Sequence, residues 1–195
     1  MTTFQEPLWP QSIVTVVGNP KPGSRTASAA ASVAELLASE LGTRYRTDEL
    51  IDLATFAPAL FAPRGSAWIE SAEQAALDDA TDLVTSASVL ILATPVYKAS
   101  YTGLLKAFLD TLPGLSLAGA VVVPVTVSGS PAHRLLADIA LRPVLAELGA
   151  SVPTPPVALE ERELEDLQLA VASWVSVNAG LVRAATIALQ PVPTA

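Results

Sequence analysis

The chain has 195 residues, the size of one domain with a sizeable core, and it carries a net charge of −8 and no cysteine. That charge balance argues against nucleic acid, whose binding rests on cations that neutralise phosphates, and the missing thiols exclude disulfides, thiolate metal sites and cysteine nucleophiles. Hydrophobic residues make up 51% of the chain and charged ones only 15%, a surplus of apolar surface that predicts burial in a homodimer or homotetramer.

Residues 1–11 read as a loose lead-in within a single domain spanning 1–195; their sequence, MTTFQEPLWPQ, has no basic region followed by an apolar core, so a cytoplasmic location is expected. Ile13–Val17 is a short, almost fully apolar, β-branched run of the kind that forms a buried parallel strand. A helix is predicted from about Ser24 to Leu41, with Val33, Leu36 and Leu37 facing inward and Gly42 as its stop. The more polar Tyr45–Leu50 reads as a strand nearer an edge. Ala54–Ala67 reads as a loop with Pro and Gly, and residues 68–85 as a helix. Val89–Ala93 is the second buried strand. After it, Tyr101, Leu104, Leu105, Phe108, Leu109 and Leu112 form one apolar helical stripe that Pro113-Gly114 ends.

Ala120–Val127 is the third buried strand, where Pro124 demands either a bulge or a place without a ladder hydrogen bond. The uncharged run Thr111–Ala132 around it holds Pro113, Pro124 and Pro131, which fits turn, strand and turn and argues against a membrane span. A helix follows Ser128–Pro131 and runs to Leu148. Val152–Val157, with three prolines, is predicted as an edge strand, and a final helix over about 161–188 precedes a disordered tail at 190–195. Five strands alternating with helices define an α/β three-layer sandwich, a five-stranded parallel sheet with helices on both faces, in flavodoxin-like strand order.

Three strand-to-helix loops fall at the carboxyl edge of such a sheet. The first, GNPKPGSRT over Gly18–Thr26, has Gly18, Gly23 and Ser24 but lacks the lysine before the serine that a P-loop requires, and it contains no G-x-G-x-x-G. Asn19, Ser24 and Thr26 with successive N–H groups suit a monophosphate dianion at a helix start, with Lys21 and Arg25 as countercharge. The same residues also describe a Gly/Pro turn with a serine N-cap. The second loop, TPVYKASYTG over Thr94–Gly103, leaves its strand through Pro95, which places the N–H groups of Val96 and Tyr97 where a flat ring with acceptor edges would need them. The third, Ser128, Gly129 and Ser130, offers small residues for close approach. A phosphorylated planar cofactor, FMN, fits all three. His133, the only histidine, lacks a G-x-S-x-G elbow and an orienting acid, so no catalytic residue is assigned.

These loops resemble those of the NADPH-dependent FMN reductase family of flavodoxin-like proteins, and within it the NAD(P)H:FMN reductases that serve alkanesulfonate monooxygenases; TPVYKASYTGLLKAFLD over Thr94–Asp110 and the stretch Gly129–Leu148 carry the likeness most strongly. The resemblance implies phosphate contacts at Asn19, Lys21, Ser24, Arg25 and Thr26, ring contacts at Pro95, Val96 and Tyr97, and a second ring border at Ser128, Gly129 and Ser130. It implies hydride transfer from NADPH or NADH to FMN and delivery of reduced FMN to a two-component monooxygenase. Lys21 stands where relatives usually carry arginine, which implies looser FMN retention. Ile139 stands where some relatives place a tyrosine in an irregular turn at a subunit interface, and Pro143, four residues on, predicts a kink or bulge here too. Two other readings share the fold: a quinone, azo-dye or chromate reductase with resident FMN, and a non-enzymatic flavodoxin-type carrier. The low aromatic content, 5%, disfavours the carrier.

Overall fold

The computed structural model describes residues 9–62 and 71–190. Five parallel strands, β1 (Gln11–Val17), β2 (Tyr45–Asp52), β3 (Val89–Pro95), β4 (Val121–Ser128) and β5 (Val157–Glu160), form one sheet in the order β2-β1-β3-β4-β5. The central strands read as unbroken apolar runs because both of their faces are covered. Ile13, Val17, Val89, Ile91, Ala93, Val121, Val123 and Val125 point to one layer, built by α1 (Arg25–Leu41) and α6 (Leu167–Ala188). Val14, Val16, Leu90, Leu92 and Val122 point to the other, built by α3 (Ser71–Ser86), α4 (Gly103–Leu109) and α5 (Arg142–Glu147). Alternate residues of one strand therefore serve two cores.

The helix predicted from Ser24 is the observed α1, with the Ser24 hydroxyl accepting from Ala27 N–H and Gly42 closing it at φ 100°. Leu104, Leu105, Phe108 and Leu109 of the α4 stripe are all buried. By length and composition α6 alone among the described helices could cross a membrane. In this fold its Val171, Val175, Ala179 and Val182 stripe lies in the core against α1 and the sheet.

Three segments depart from the sequence reading, and a fourth falls partly outside the described residues. Residues 53–61 are helical, a 3-10 turn at Leu53–Phe56 followed by α2 (Ala57–Phe61), because Asp52 Oδ1 accepts from Ala54 N–H and starts the turn. The beginning of the next helix at Trp68 lies outside the described residues, which take it up at Ser71. The edge strand begins at Val157, where the prolines at 153, 155 and 156 end, since a residue without N–H cannot join the ladder. The last helix is divided into a 3-10 turn at Glu161–Leu164 and α6.

Pro124 sits in unbroken register with Leu92 of β3, so there is no bulge. Val122 N–H donates to Ser151 on the other side of β4. Two residues on, Pro124 turns to that same side, and β5 pairing starts only at Val125. Its missing donor thus falls in a gap between partners. The kink expected near Ile139 is a π segment, Ala137–Leu141, in which Arg142 N–H reaches back to Ala137 O.

Candidate functional site

The strand order reverses direction between β1 and β3: the chain leaves β1 toward β2 and leaves β3 toward β4. The loops after these two strands diverge and open a crevice at the carboxyl edge. Backbone hydrogen bonds fasten the loops together. Gly18 N–H donates to Ala93 O at 2.7 Å, and Val96 N–H donates to Val127 O at 2.9 Å. The Thr102 hydroxyl, N-cap of α4, donates to Gly18 O and accepts from Leu105 N–H at 3.1 Å. Gly18 has no Cβ because α4 packs against it there.

A cavity of about 270 Å³ occupies this crevice. Asn19, Lys21, Ser24, Arg25, Thr26, Pro95, Val96, Tyr97 and Gly129 line it, so the sequence-predicted residues converge on one place. Ser128 and Ser130 stand beside it without lining it; the Ser128 hydroxyl donates to Ser130 O, and the Ser130 hydroxyl accepts from Ala132 N–H. Ser130 thus starts the 3-10 turn that carries His133.

On the phosphate side, the Asn19 carboxamide organises the loop: Nδ2 donates to Thr26 Oγ1 at 3.0 Å and Oδ1 accepts from Lys21 N–H at 2.9 Å. One Nδ2 hydrogen is left for a ligand. Asn19, Ser24 and Thr26 are buried, while Lys21 and Arg25 are exposed at the mouth. The first amides of α1, at Arg25 and Thr26, belong to the helix turn that has no intrahelical acceptors. Buried hydroxyls and an amide, helix-start donors and two cations together form a donor set that could hold a tetrahedral dianion.

The ring side corrects the sequence reading. The amides of Val96 and Tyr97 are not free: Val96 continues the ladder to Val127 past Pro95, and Tyr97 and Ser100 exchange both backbone bonds across a two-residue turn. Lys98 and Ala99, at the centre of that turn, have φ of 51° and 58°. Two consecutive non-glycine residues in the left-handed region are strained, by about 1–2 kcal/mol each. Pro95, Val96 and Val127 present a mostly apolar wall instead of donors, and the space over Gly129 is open. Among cations outside the cavity lining, Lys106 is paired with Asp110 and Arg134 with Glu160 and Glu163. Arg64 lies outside the described residues, and Lys98 stands on the turn beside the cavity.

Two carboxylates that the sequence reading did not include also belong to this site. Asp52, at the end of β2, accepts from Gly23 N–H at 3.1 Å. Glu161, just past β5, lines the cavity and pairs with Arg25 at 3.1 Å. Both come from strand ends distant in sequence, where an acidic residue has no local pattern to mark it. Next to Glu161, Glu160 is buried and clamped: Arg134 donates to Oε1 at 2.9 Å and Arg162 pairs with Oε2 at 3.1 Å. The Arg134 hydrogen bond, aided by Arg162, holds the Glu160 carboxyl below its ordinary range, and the same contact pushes the Arg134 guanidinium up.

The chain is similar to known proteins in both sequence and fold. The family model of NADPH-dependent FMN reductases matches residues 12–163. A stretch of 75 residues is 51% identical to FMN reductase (NADPH) of Escherichia coli K12, covering 38% of this chain and 39% of that protein's length. NADH-dependent FMN reductase SfnE of Pseudomonas putida is 29% identical over 84% of each chain. The crystal structure of an NADH:FMN oxidoreductase (EMOB) in its apo form superposes with a TM-score of 0.74 at 34% identity, covering 94% of this chain and 92% of that one.

Proposed function

Since the chain belongs to the NADPH-dependent FMN reductase family, we propose that it is an NAD(P)H:FMN oxidoreductase that moves hydride from NADPH or NADH to FMN. The observation that carries the proposal is the single crevice in which Lys21 and Arg25 flank buried Asn19, Ser24 and Thr26 on one side, while Pro95, Val96 and Tyr97 line the other. The residues present fit the group: the helix start and two cations suit a phosphate dianion, and the flat wall suits a ring. When bound, FMN supplies the hydride acceptor.

The protein's own residues bind and orient. Lys21 and Arg25 neutralise the phosphate, and Ser24, Thr26 and the remaining Asn19 hydrogen direct it toward the α1 amides. Pro95–Tyr97 supports one edge of the ring, and Ser128, Gly129 and Ser130 border the other. No acid or base is required of this chain, and none is assigned. The cavity opens to solvent through the exposed Lys21, Arg25 and Tyr97, which supports exchange of flavin with a partner monooxygenase. Leu135 and Ile139, large apolar residues exposed near the site, support a homodimer or homotetramer. A cytoplasmic place of action accords with the need for a nicotinamide reductant.

The test is the oxidation of NADH and NADPH followed by absorbance, with and without added FMN. Flavin-dependent oxidation is expected with at least one nucleotide. Its absence with both overturns the proposal.

A further inference from the structure

From the placement of Glu161 we infer that it is a built-in competitor for the flavin phosphate, setting how weakly this site holds FMN and how little it prefers FMN over a flavin without phosphate. The inference rests on the reading of the cavity as an FMN site. Among the described residues Arg25 is the one guanidinium lining the cavity, and its Nη2 is held 3.1 Å from Glu161 Oε1. Half or more of each side chain is exposed, 67% for Arg25 and 53% for Glu161, so the contact is a surface pair that a better partner can displace.

The neighbouring acids show that this carboxylate is singled out. Glu160 is clamped between Arg134 and Arg162. Glu163 accepts from Glu160 N–H at 2.7 Å and pairs with Arg134. Those two are fixed by the turn that follows β5. Glu161, between them in sequence, turns to the cavity instead.

A phosphate dianion entering the crevice meets this carboxylate in two ways. It must take Arg25 from Glu161, and it must then sit near a like charge. Both effects weaken binding of a phosphorylated flavin, and neither touches a flavin that lacks the ester. A flavin that must leave after each turnover benefits from such a site, because a dianion held by unopposed Lys21, Arg25 and helix-start amides would dissociate slowly. Glu161 therefore acts through Arg25 and through its own field, as a specificity-determining group outside the reacting atoms.

The experiment measures the dissociation constants of FMN and riboflavin by flavin fluorescence, at low and high salt, for the wild type, Glu161→Gln, Glu161→Ala and Arg25→Ala/Glu161→Gln. For Glu161→Gln and Glu161→Ala, FMN binding is expected to tighten by about three- to tenfold at low salt, the effect of removing one nearby charge in a solvent-exposed setting, and the gain should shrink as salt screens it. Riboflavin binding should stay unchanged, and the gain should be smaller in the Arg25→Ala background. An FMN constant that is unchanged or weaker in both single variants overturns the inference, as does equal tightening for riboflavin. A wild type that binds no FMN at all overturns the reading of the cavity, and this inference with it. A wild type that binds FMN and is matched by both variants sinks the inference alone.

Discussion

A methyl group at Gly18 would lie 2.6 Å from Leu105 Cβ, 3.2 Å from its Cγ and 3.3 Å from its Cα. Gly18 does not have a left-handed φ, so Gly18→Ala introduces a steric cost without backbone strain. Leu105 is fully buried on α4 and cannot swing aside. Overpacking of this kind costs about 1–3 kcal/mol. If the loop and α4 separate to admit the methyl, the Thr102–Gly18 hydrogen bond goes too, adding about 0.5–1.5 kcal/mol. The sum, about 1.5–4.5 kcal/mol, corresponds to a midpoint lowered by roughly 3–18 °C for a protein of this size. Urea and thermal unfolding measure the loss, and an FMN titration should show weaker binding because the loop that carries the phosphate contacts has moved. The Leu105→Ala background sharpens the test. Truncation relieves the 3.2 Å contact with Cγ but leaves the 2.6 Å contact with Cβ, so most of the Gly18→Ala cost should persist there. Gly18→Ala within 0.5 kcal/mol of wild type (about the noise of a neutral surface change), or full recovery in the Leu105→Ala background, refutes the close approach of α4 as the reason for glycine.

Lys21→Ala should weaken FMN binding by about 1–3 kcal/mol, the range of a charge-assisted contact, with riboflavin unaffected; an unchanged FMN constant removes Lys21 from the phosphate site. Asp52→Ala deprives Gly23 and Ala54 of the carboxylate that accepts from both N–H groups, and urea unfolding should register a loss of about 1–2 kcal/mol; wild-type stability would show that neither cap matters. Glu160 titrates below the ordinary carboxylate range because Arg134 holds it ionised, so its stabilisation is complete at neutral pH and disappears as pH falls through that lowered value. The urea midpoint of the wild type should therefore fall more steeply than that of Glu160→Gln as pH is lowered through and below the ordinary carboxylate range; parallel slopes would mean the clamp contributes nothing.

Much of this architecture is legible in the chain because burial leaves a simple mark. Ile13–Val17, Val89–Ala93 and Val121–Val127 are apolar at every position or nearly so, which only a strand covered on both faces requires. The polar Tyr45–Asp52 does lie at an edge. The sequence reading starts β5 too early because its edge character and its proline run look alike in sequence, whereas the ladder forms only once the prolines end. The crevice follows from the loops after β1, β3 and β4, and these the sequence does mark with Gly, Pro and Ser. What it does not mark is which donors remain free. Val96 and Tyr97 N–H find acceptors in Val127 and Ser100, partners that only the register of β4 and the tightness of the Lys98–Ala99 turn reveal. Asp52 and Glu161 reach the phosphate loop from 29 and 136 residues away from the groups they contact, Gly23 and Arg25, so no local motif could pair them.

The presence of those two carboxylates bears on how an anion site exists at all in a chain of net charge −8. Most of that charge is spread over the surface, and at physiological ionic strength a charge more than about 8 Å away is largely screened. Distant acids therefore slow the approach of a dianion more than they oppose its residence. On the proposed reading, residence is decided within the loop, where Lys21, Arg25 and the α1 amides would attract and Asp52 and Glu161 would oppose. Asp52 cannot be withdrawn without releasing Gly23 and Ala54, so its charge is part of the loop's construction. Glu161 carries no such duty: among the contacts described it holds only Arg25. If Glu161 opposes the flavin phosphate as inferred, the balance between a captured flavin and an exchanging one shifts at this single exposed position while the loop itself stays intact.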